Sequence, residues 1–187
     1  DASFERGDFD ARISLSSVNE PGPFSPFPGF DRLLIVTRGA GLRLAHGGDV
    51  PPEDVARLRP HAFQGEWPTR AELPYGPVDD FNVIVRRGSK LVDVETLLLA
   101  HAAELGAVPL AIGKPAGPSP ASGDALVHLP EGQALLHVTG WRWPILFGPR
   151  ESLLVRGVVP GDVLNVIPAS EADVATGAVV LVRLADA

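Results

Sequence analysis

Residues Pro21–Gly41 read PGPFSPFPGFDRLLIVTRGAG, and four prolines, three phenylalanines and two glycines take all of the first ten positions but Ser25. An Asp31–Arg32 pair follows and opens an apolar run, Leu33–Val36, that closes on the glycine turn Gly39–Gly41. Proline fixes φ and glycine allows sharp reversal, so the first part is a stiff aromatic loop and the second a short strand. Two opposite charges therefore stand at the mouth of a strand, where each needs a partner or a ligand if it is buried.

Gly 20 and Pro 19 make about a fifth of the 187 residues and punctuate short Val/Leu/Ile runs along the whole chain. The runs that read as strands are Ala11–Val18, Arg32–Arg38, Gly41–Ala45, Asp54–Leu58, Ala71–Pro74, Asp80–Arg86, Ala125–Leu129, Gln133–Val138, Glu151–Val155, Asp162–Ile167 and Val179–Leu184. Eleven strands exceed one small barrel and predict an all-β protein of two modules. Between them, Ser89–Asp124 loses strand alternation and dissolves into Pro, Gly and Ser. It reads as a connector with a helical turn around Thr96–Leu105. The expected division is a first module over residues 1–90, a connector over 91–124 and a second module over 125–187, with terminal strands exchanged between modules as a variant. The halves share a faint order: "VTRGAG" and "RLRPHAFQGEWP" in the first match "LLHVTGWRW" and "RGVVPGDVLNVIP" in the second.

Composition removes several classes of function. Apolar residues at 45% and a mean hydropathy of +0.14 exclude a disordered chain. A net charge of −7 with scattered basic residues gives no footprint for nucleic acid. No apolar run approaches the roughly 20 residues that span a bilayer, and no leader is visible, so a cytoplasmic location is expected. With Cys 0, disulfides, thiolate metal sites and cysteine nucleophiles drop out. No serine stands in a nucleophile elbow, and "GAG" lacks the strand–helix context that phosphate binding needs.

Three stretches carry a family resemblance: "DFDARISLSSVNEPGPFSPFPGFDR" (Asp8–Arg32), "LRPHAFQGEW" (Leu58–Trp67) and "DDFNVIVRRG" (Asp79–Gly88). They resemble the HutD/Ves family, with its WRIS-type strand, GPFS-x-FPG-x-DR loop and FN-x-x-x-RRG strand. Two departures stand out: Ala11 occupies the place of the family's tryptophan, and the family's opening Pro-Trp-Lys-Asn-Gly-Gly-Gly stretch is not among these residues. The resemblance implies a bicupin, two cupin-type β-barrel modules with a short, partly helical connector.

Many cupins hold a metal through a His-x-His pair with a further Glu and His. Here His46, His61, His101, His128 and His137 are dispersed, and the strand mouth reads Phe30-Asp31-Arg32, so neither a metal nor another cofactor is expected. A guanidinium at that mouth suits a small carboxylate, which its planar fork meets with two parallel hydrogen bonds. Arg32 is the first candidate. Arg12, Ser14 and Asn82 lie on strand faces that could help it, His61 is a further donor, and Phe24, Phe63 and Trp67 are apolar walls. Asp31 alternates to the opposite strand face, where it caps or orients the loop. The bland alternatives are a rim salt bridge from Arg32 to Asp31 or Asp80, a solvated Arg86–Arg87 pair, and Trp141 and Trp143 as core residues on one strand face.

Two classes of function follow. The first is a non-catalytic protein that binds a small anionic metabolite such as formate, urocanate or formiminoglutamate. The resemblance implies an accessory or regulatory place in histidine utilisation; a homodimer is one possible assembly. The second is a metal-independent cupin isomerase or hydrolase acting on a small carboxylate, with His61 as general base.

Overall fold

The computed structural model describes residues 9–102, 106–113 and 123–186. The chain falls into two compact units, one ending at Lys90 and the other beginning at Leu91. The first contains β1 (Ala11–Val18), β2 (Gly22–Pro23), β3 (Phe30–Arg38), β4 (Gly41–Ala45), β5 (Glu53–Ala56), β6 (His61–Gln64), β7 (Arg70–Glu72) and β8 (Val78–Arg86). They form two antiparallel sheets of four strands, ordered β1-β8-β3-β6 and β2-β7-β4-β5. Leu34 and Val36 of β3 meet Leu42 and Leu44 of β4 in one buried cluster, with Val55, Phe63, Ala71 and Val78. The period-2 alternation seen in the sequence thus turns one face of each sheet inward. The β3–β4 turn needs glycine: Gly41 has φ 134°, and a side-chain carbon there would stand 2.7 Å from the Val55 carbonyl.

The second unit contains β9 (Lys90–Leu98), a 3-10 turn at Leu99–Ala102, β10 (Val108–Leu110), β11 (Gly123–Glu131), β12 (Ala134–Val138), β13 (Ile145–Phe147), β14 (Ser152–Val158), β15 (Leu164–Pro168), helix α1 (Glu171–Thr176) and β16 (Ala178–Asp186). Its sheets are ordered β9-β16-β11-β14 and β10-β15-β12-β13. Adding eight to each strand number of the first unit reproduces the second. Its own core gathers Leu99, Leu110, Ile112, Val127, Leu129, Leu136, Leu164 and Leu181, among others. Among the described residues, neither unit hydrogen-bonds its two sheets around into a closed barrel.

All eleven strand runs read from the sequence are strands, with ends shifted by a few residues. The connector is corrected. Residues 91–124, set aside as a link, supply β9 and β10, the counterparts of β1 and β2, and the start of β11. The alternation in Val92-Asp93-Val94-Glu95 was masked by the leucines that follow, and the helical turn is confined, among the described residues, to Leu99–Ala102. Residues 103–105 and 114–122 lie outside the described residues. The sequence matches between the halves are also out of step: "VTRGAG" spans the β3–β4 turn, whereas "LLHVTGWRW" spans β12 and the loop to β13. Trp141 and Trp143 sit in that loop rather than on a strand; Trp141 packs on the second core, while Trp143 is 70% exposed with Arg142 over its ring. Helix α1 was missed, although Ser170-Glu171-Ala172-Asp173 is a capping sequence in which Ser170 Oγ accepts the Asp173 N–H.

His128, on β11, is buried beside Ser152 and the Glu151 carbonyl, and burial pushes its imidazole down to about 4, with Arg150 adding to the effect. The folded state therefore holds it neutral. A lowered histidine contributes stability in full above pH 6.5 and loses it as pH falls towards 4, an effect of about 3 kcal/mol. In urea titrations at pH 7 and pH 4.5, His128→Gln should lose less stability across that interval than the wild type, while starting lower at pH 7. Equal losses would mean that His128 is protonated in the folded protein.

Candidate functional site

The inner face of β1, β8 and β3 is where the first unit departs from an ordinary core. Register sets Arg12, Ile84 and Arg32 in one cross-strand row, Ser14, Asn82 and Leu34 in the next, and Ser16, Asp80 and Val36 in a third. Arg32, Asp80 and Asn82 are buried at 7%, 1% and 4% exposure. The Pro21–Gly29 loop closes over this face because its ends are tied to both sheets. β2 pairs with β7 of the second sheet, Phe24 N–H donates to the Thr69 carbonyl, and Phe27 N–H donates to Gly65 O. A cavity of about 250 Å³ remains, lined by Arg12, Ser14, Ser16, Phe24, Phe27, Arg32, Asp80 and Asn82 together with Ile84, Val18, Pro23 and Ser25.

Arg32 is its central group. One terminal nitrogen donates to the Ser25 carbonyl at 3.2 Å and the other to Asn82 Oδ1 at 2.9 Å. Asn82 in turn donates to Asp80 Oδ1 at 2.8 Å. The guanidinium carbon lies 5.0 Å from the Phe24 and Phe63 ring centres and 5.5 Å from that of Phe27, so aromatic faces replace part of its hydration. Its Nε is buried with no hydrogen-bond partner among the described residues. Burial lowers Arg32 to about 10, against the attraction of Asp80 and with the repulsion of Arg12, so it stays charged at neutral pH. Burial also pushes the Asp80 carboxyl up to about 6, although Arg32 and the Asn82 hydrogen bond pull it down. Arg12, lowered by burial, stands over the Phe27 ring at 5.6 Å.

The structure thus brings Arg12, Ser14, Phe24, Arg32 and Asn82 to one cavity and sets Phe63 against the Arg32 guanidinium. His61 and Trp67 do not line it. Thr69 Oγ1 donates to the Trp67 carbonyl and so accepts from His46 Nδ1 at 3.0 Å; His46 Nε2 is left to accept from His61 Nε2, also at 3.0 Å. His61 Nδ1 then faces Glu53 at 3.5 Å. Trp67 packs edge-on against His46 with ring centres 5.1 Å apart. Asp31 points away from the cavity and pairs with Arg87, which also holds Glu66 and the Phe30 carbonyl, while Arg86 pairs with Asp10. Ser16, Phe27 and the Ser25 carbonyl were missed from the sequence, and Asp80 was expected only as a rim salt-bridge partner of Arg32, not as a wall of the cavity. Asp80 and Ser16 were findable, because each lies two residues from a candidate on the same strand. Among the described residues, no group of three or more His, Asp or Glu side chains is placed to hold a metal.

Two units of identical strand order, each a pair of four-stranded antiparallel sheets, define a bicupin. The chain belongs to the HutD family, whose profile matches residues 1–114. It is 36% identical over 76 residues to an uncharacterised 21.2 kDa protein in the hutC 3′ region of Pseudomonas putida, covering 41% of this chain and 40% of that one. It is 37% identical over 81 residues to protein Ves of Cronobacter sakazakii, covering 43% and 44%. The matched stretch thus spans well under half the length of these relatives. Among solved structures, a conserved protein of unknown function from Pseudomonas aeruginosa PAO1 superposes with a TM-score of 0.74 at 21% identity, covering 96% of this chain and 85% of that one. HutD from Pseudomonas fluorescens SBW25 superposes with a TM-score of 0.69 at 24% identity, covering 96% and 80%. At those identities the likeness establishes the fold. No helix among the described residues is long and apolar enough to cross a membrane.

The loop's seat on β6 depends on Gly65, where a side-chain carbon would stand 2.5 Å from the Phe27 carbonyl and 2.8 Å from that of Phe30. Gly65→Ala must push the loop outward and is expected to cost about 1–3 kcal/mol in chemical denaturation. An unchanged stability would mean that the loop yields freely and does not fix the cavity wall.

Proposed function

We propose that the first unit binds a small carboxylate metabolite through Arg32, as a non-catalytic, cytoplasmic accessory or regulatory protein of histidine utilisation. The observation that carries this reading is the buried Arg32 guanidinium, which lines a small cavity and whose Nε has no hydrogen-bond partner among the described residues, with a second guanidinium, Arg12, two strands away. Arg32 stays charged at neutral pH and lines the cavity beside Asn82 and Asp80, so a carboxylate is the ligand class its fork suits. Ser14, Ser16 and Asn82 supply hydroxyl and amide groups for orientation, and the phenylalanines exclude water. Neighbourhood to hutC in the P. putida relative, and the formate condition in which the similar P. fluorescens HutD was solved, support small acids of histidine breakdown as the first ligands to try.

Calorimetric titration with formate, urocanate, formiminoglutamate, histidine and glutamate tests it. Arg32→Ala should weaken binding of whichever ligand is found by about ten- to a hundredfold, the loss of one charge-assisted contact of roughly 1.5–3 kcal/mol. Equal binding by folded wild type and Arg32→Ala would leave Arg32 a structural group. Binding should also tighten as pH falls from 7 to 5, by roughly three- to tenfold, because Asp80 takes up its proton near 6 while a carboxylate ligand stays ionised to about pH 4. Asp80→Asn should flatten that dependence.

Asp80 also keeps a second reading open. A carboxyl raised to about 6 beside a guanidinium is the equipment of a metal-independent acid–base enzyme, and it replaces His61, engaged with His46, in that role. Turnover of any bound carboxylate, abolished by Asp80→Asn with binding retained, would decide for catalysis.

A further inference from the structure

We infer that the second unit contains the counterpart of the Arg32 cavity, already filled by the chain's own carboxylates, so that one chain offers an anion a single site. For the first unit this rests on the carboxylate reading above; for the second it rests on the strand-by-strand equivalence of the two units.

The equivalence can be fixed to the residue. The β5–β6 and β13–β14 turns each place a non-glycine residue at positive φ, Leu58 at 59° and Arg150 at 69°. Leu58 N–H donates to the Val36 carbonyl of β3, and Arg150 N–H donates to the Leu129 carbonyl of β11. Val36 therefore corresponds to Leu129, Leu34 to Val127 and Arg32 to Ala125. Across the sheet Arg32 is opposite Ile84, and Ala125 is opposite Arg183. The second unit has thus kept a guanidinium in the same cross-strand row and moved it one strand over, from β3 to β16.

Its surroundings are the first cavity's with the charges reversed. Arg183 is 3% exposed, and its Nε donates to the Ala111 carbonyl at 2.8 Å. Ala111 directly follows β10, much as Ser25, whose carbonyl holds Arg32, comes soon after β2. The two terminal nitrogens of Arg183 donate to Asp93 at 2.6 Å and to Glu95 at 2.7 Å. Both acids come from β9, the counterpart of the strand that brings Arg12 and Ser14 in the first unit. Two carboxylates stand where a bound acid would offer its oxygens, and all three nitrogens of the fork are engaged. One guanidinium faces two carboxylates, so an incoming anion meets repulsion at a fork whose three nitrogens are already engaged.

Emptying the site tests this directly. In Asp93→Ala/Glu95→Ala, formate should take the place of the lost carboxylates and raise the melting temperature by roughly 3–5 °C more than in wild type, at about ten times its dissociation constant. Sodium chloride at equal ionic strength should not do so, and adding Arg183→Met should abolish the excess. If the double variant folds only in formate, that rescue supports the inference equally. A formate response no larger than that of wild type, one that survives Arg183→Met, or a double variant that formate cannot fold overturns it. Wild-type calorimetry is the second arm: one carboxylate site per chain is expected, and two would overturn the inference. If wild type binds no carboxylate, the reading of the first unit fails, while the formate response of the double variant still decides the second.

Discussion

A guanidinium taken out of water sets the terms for the first unit. Arg32 is 7% exposed, and a charge so placed must recover its solvation from fixed groups nearby. Three phenylalanine faces, one backbone carbonyl and the Asn82–Asp80 chain do so, and two of those faces, Phe24 and Phe27, and the Ser25 carbonyl are supplied by the Pro21–Gly29 loop. This explains the composition of that loop. Prolines limit the freedom it would lose on docking, the phenylalanines serve both as wall and as partners of the charge, and Gly65 lets its backbone lie directly against β6. Outside, Arg87 ties Asp31, Glu66 and the Phe30 carbonyl together, fixing the strand entry from the solvent side.

One strand order built twice has met the same problem in two ways. In the first unit, Arg12, Arg32 and one raised carboxyl, Asp80, line an open cavity. In the second, Arg183 is enclosed by Asp93, Glu95 and the Ala111 carbonyl. The difference is made chiefly by the first strand of each unit, β1 with Arg12 and Ser14 against β9 with Asp93 and Glu95.

The two units also hold their buried titrating groups differently. Asp80 sits beside the Arg32 guanidinium and lines the cavity, so its proton equilibrium bears on what the cavity attracts. His128 is enclosed by Ser152 and backbone, and its protonation bears only on stability. The His46–His61 pair is a third case: His46 is held between Thr69 and His61, and the other His61 ring nitrogen faces Glu53.

Period-2 alternation and Gly/Pro punctuation determined the all-β class and placed eleven strands, because those signals are local to each strand and turn. The motifs Asp8–Arg32 and Asp79–Gly88 likewise singled out Arg12, Ser14, Arg32 and Asn82, because alternation alone puts each on a known face. Only the tertiary structure decided that β9 and β10 belong to the second unit, since Val92–Glu95 becomes a strand by pairing with a segment some ninety residues later. The partners of His61 were equally hidden: His46 follows β4 and Glu53 opens β5, both in the sheet to which His61 does not belong, and separation along the chain says nothing of that approach. Charge follows the same division. The sequence counts arginines and carboxylates, but which of them share a low-dielectric cavity, and so which are raised, lowered or left unpaired, is settled by register and burial.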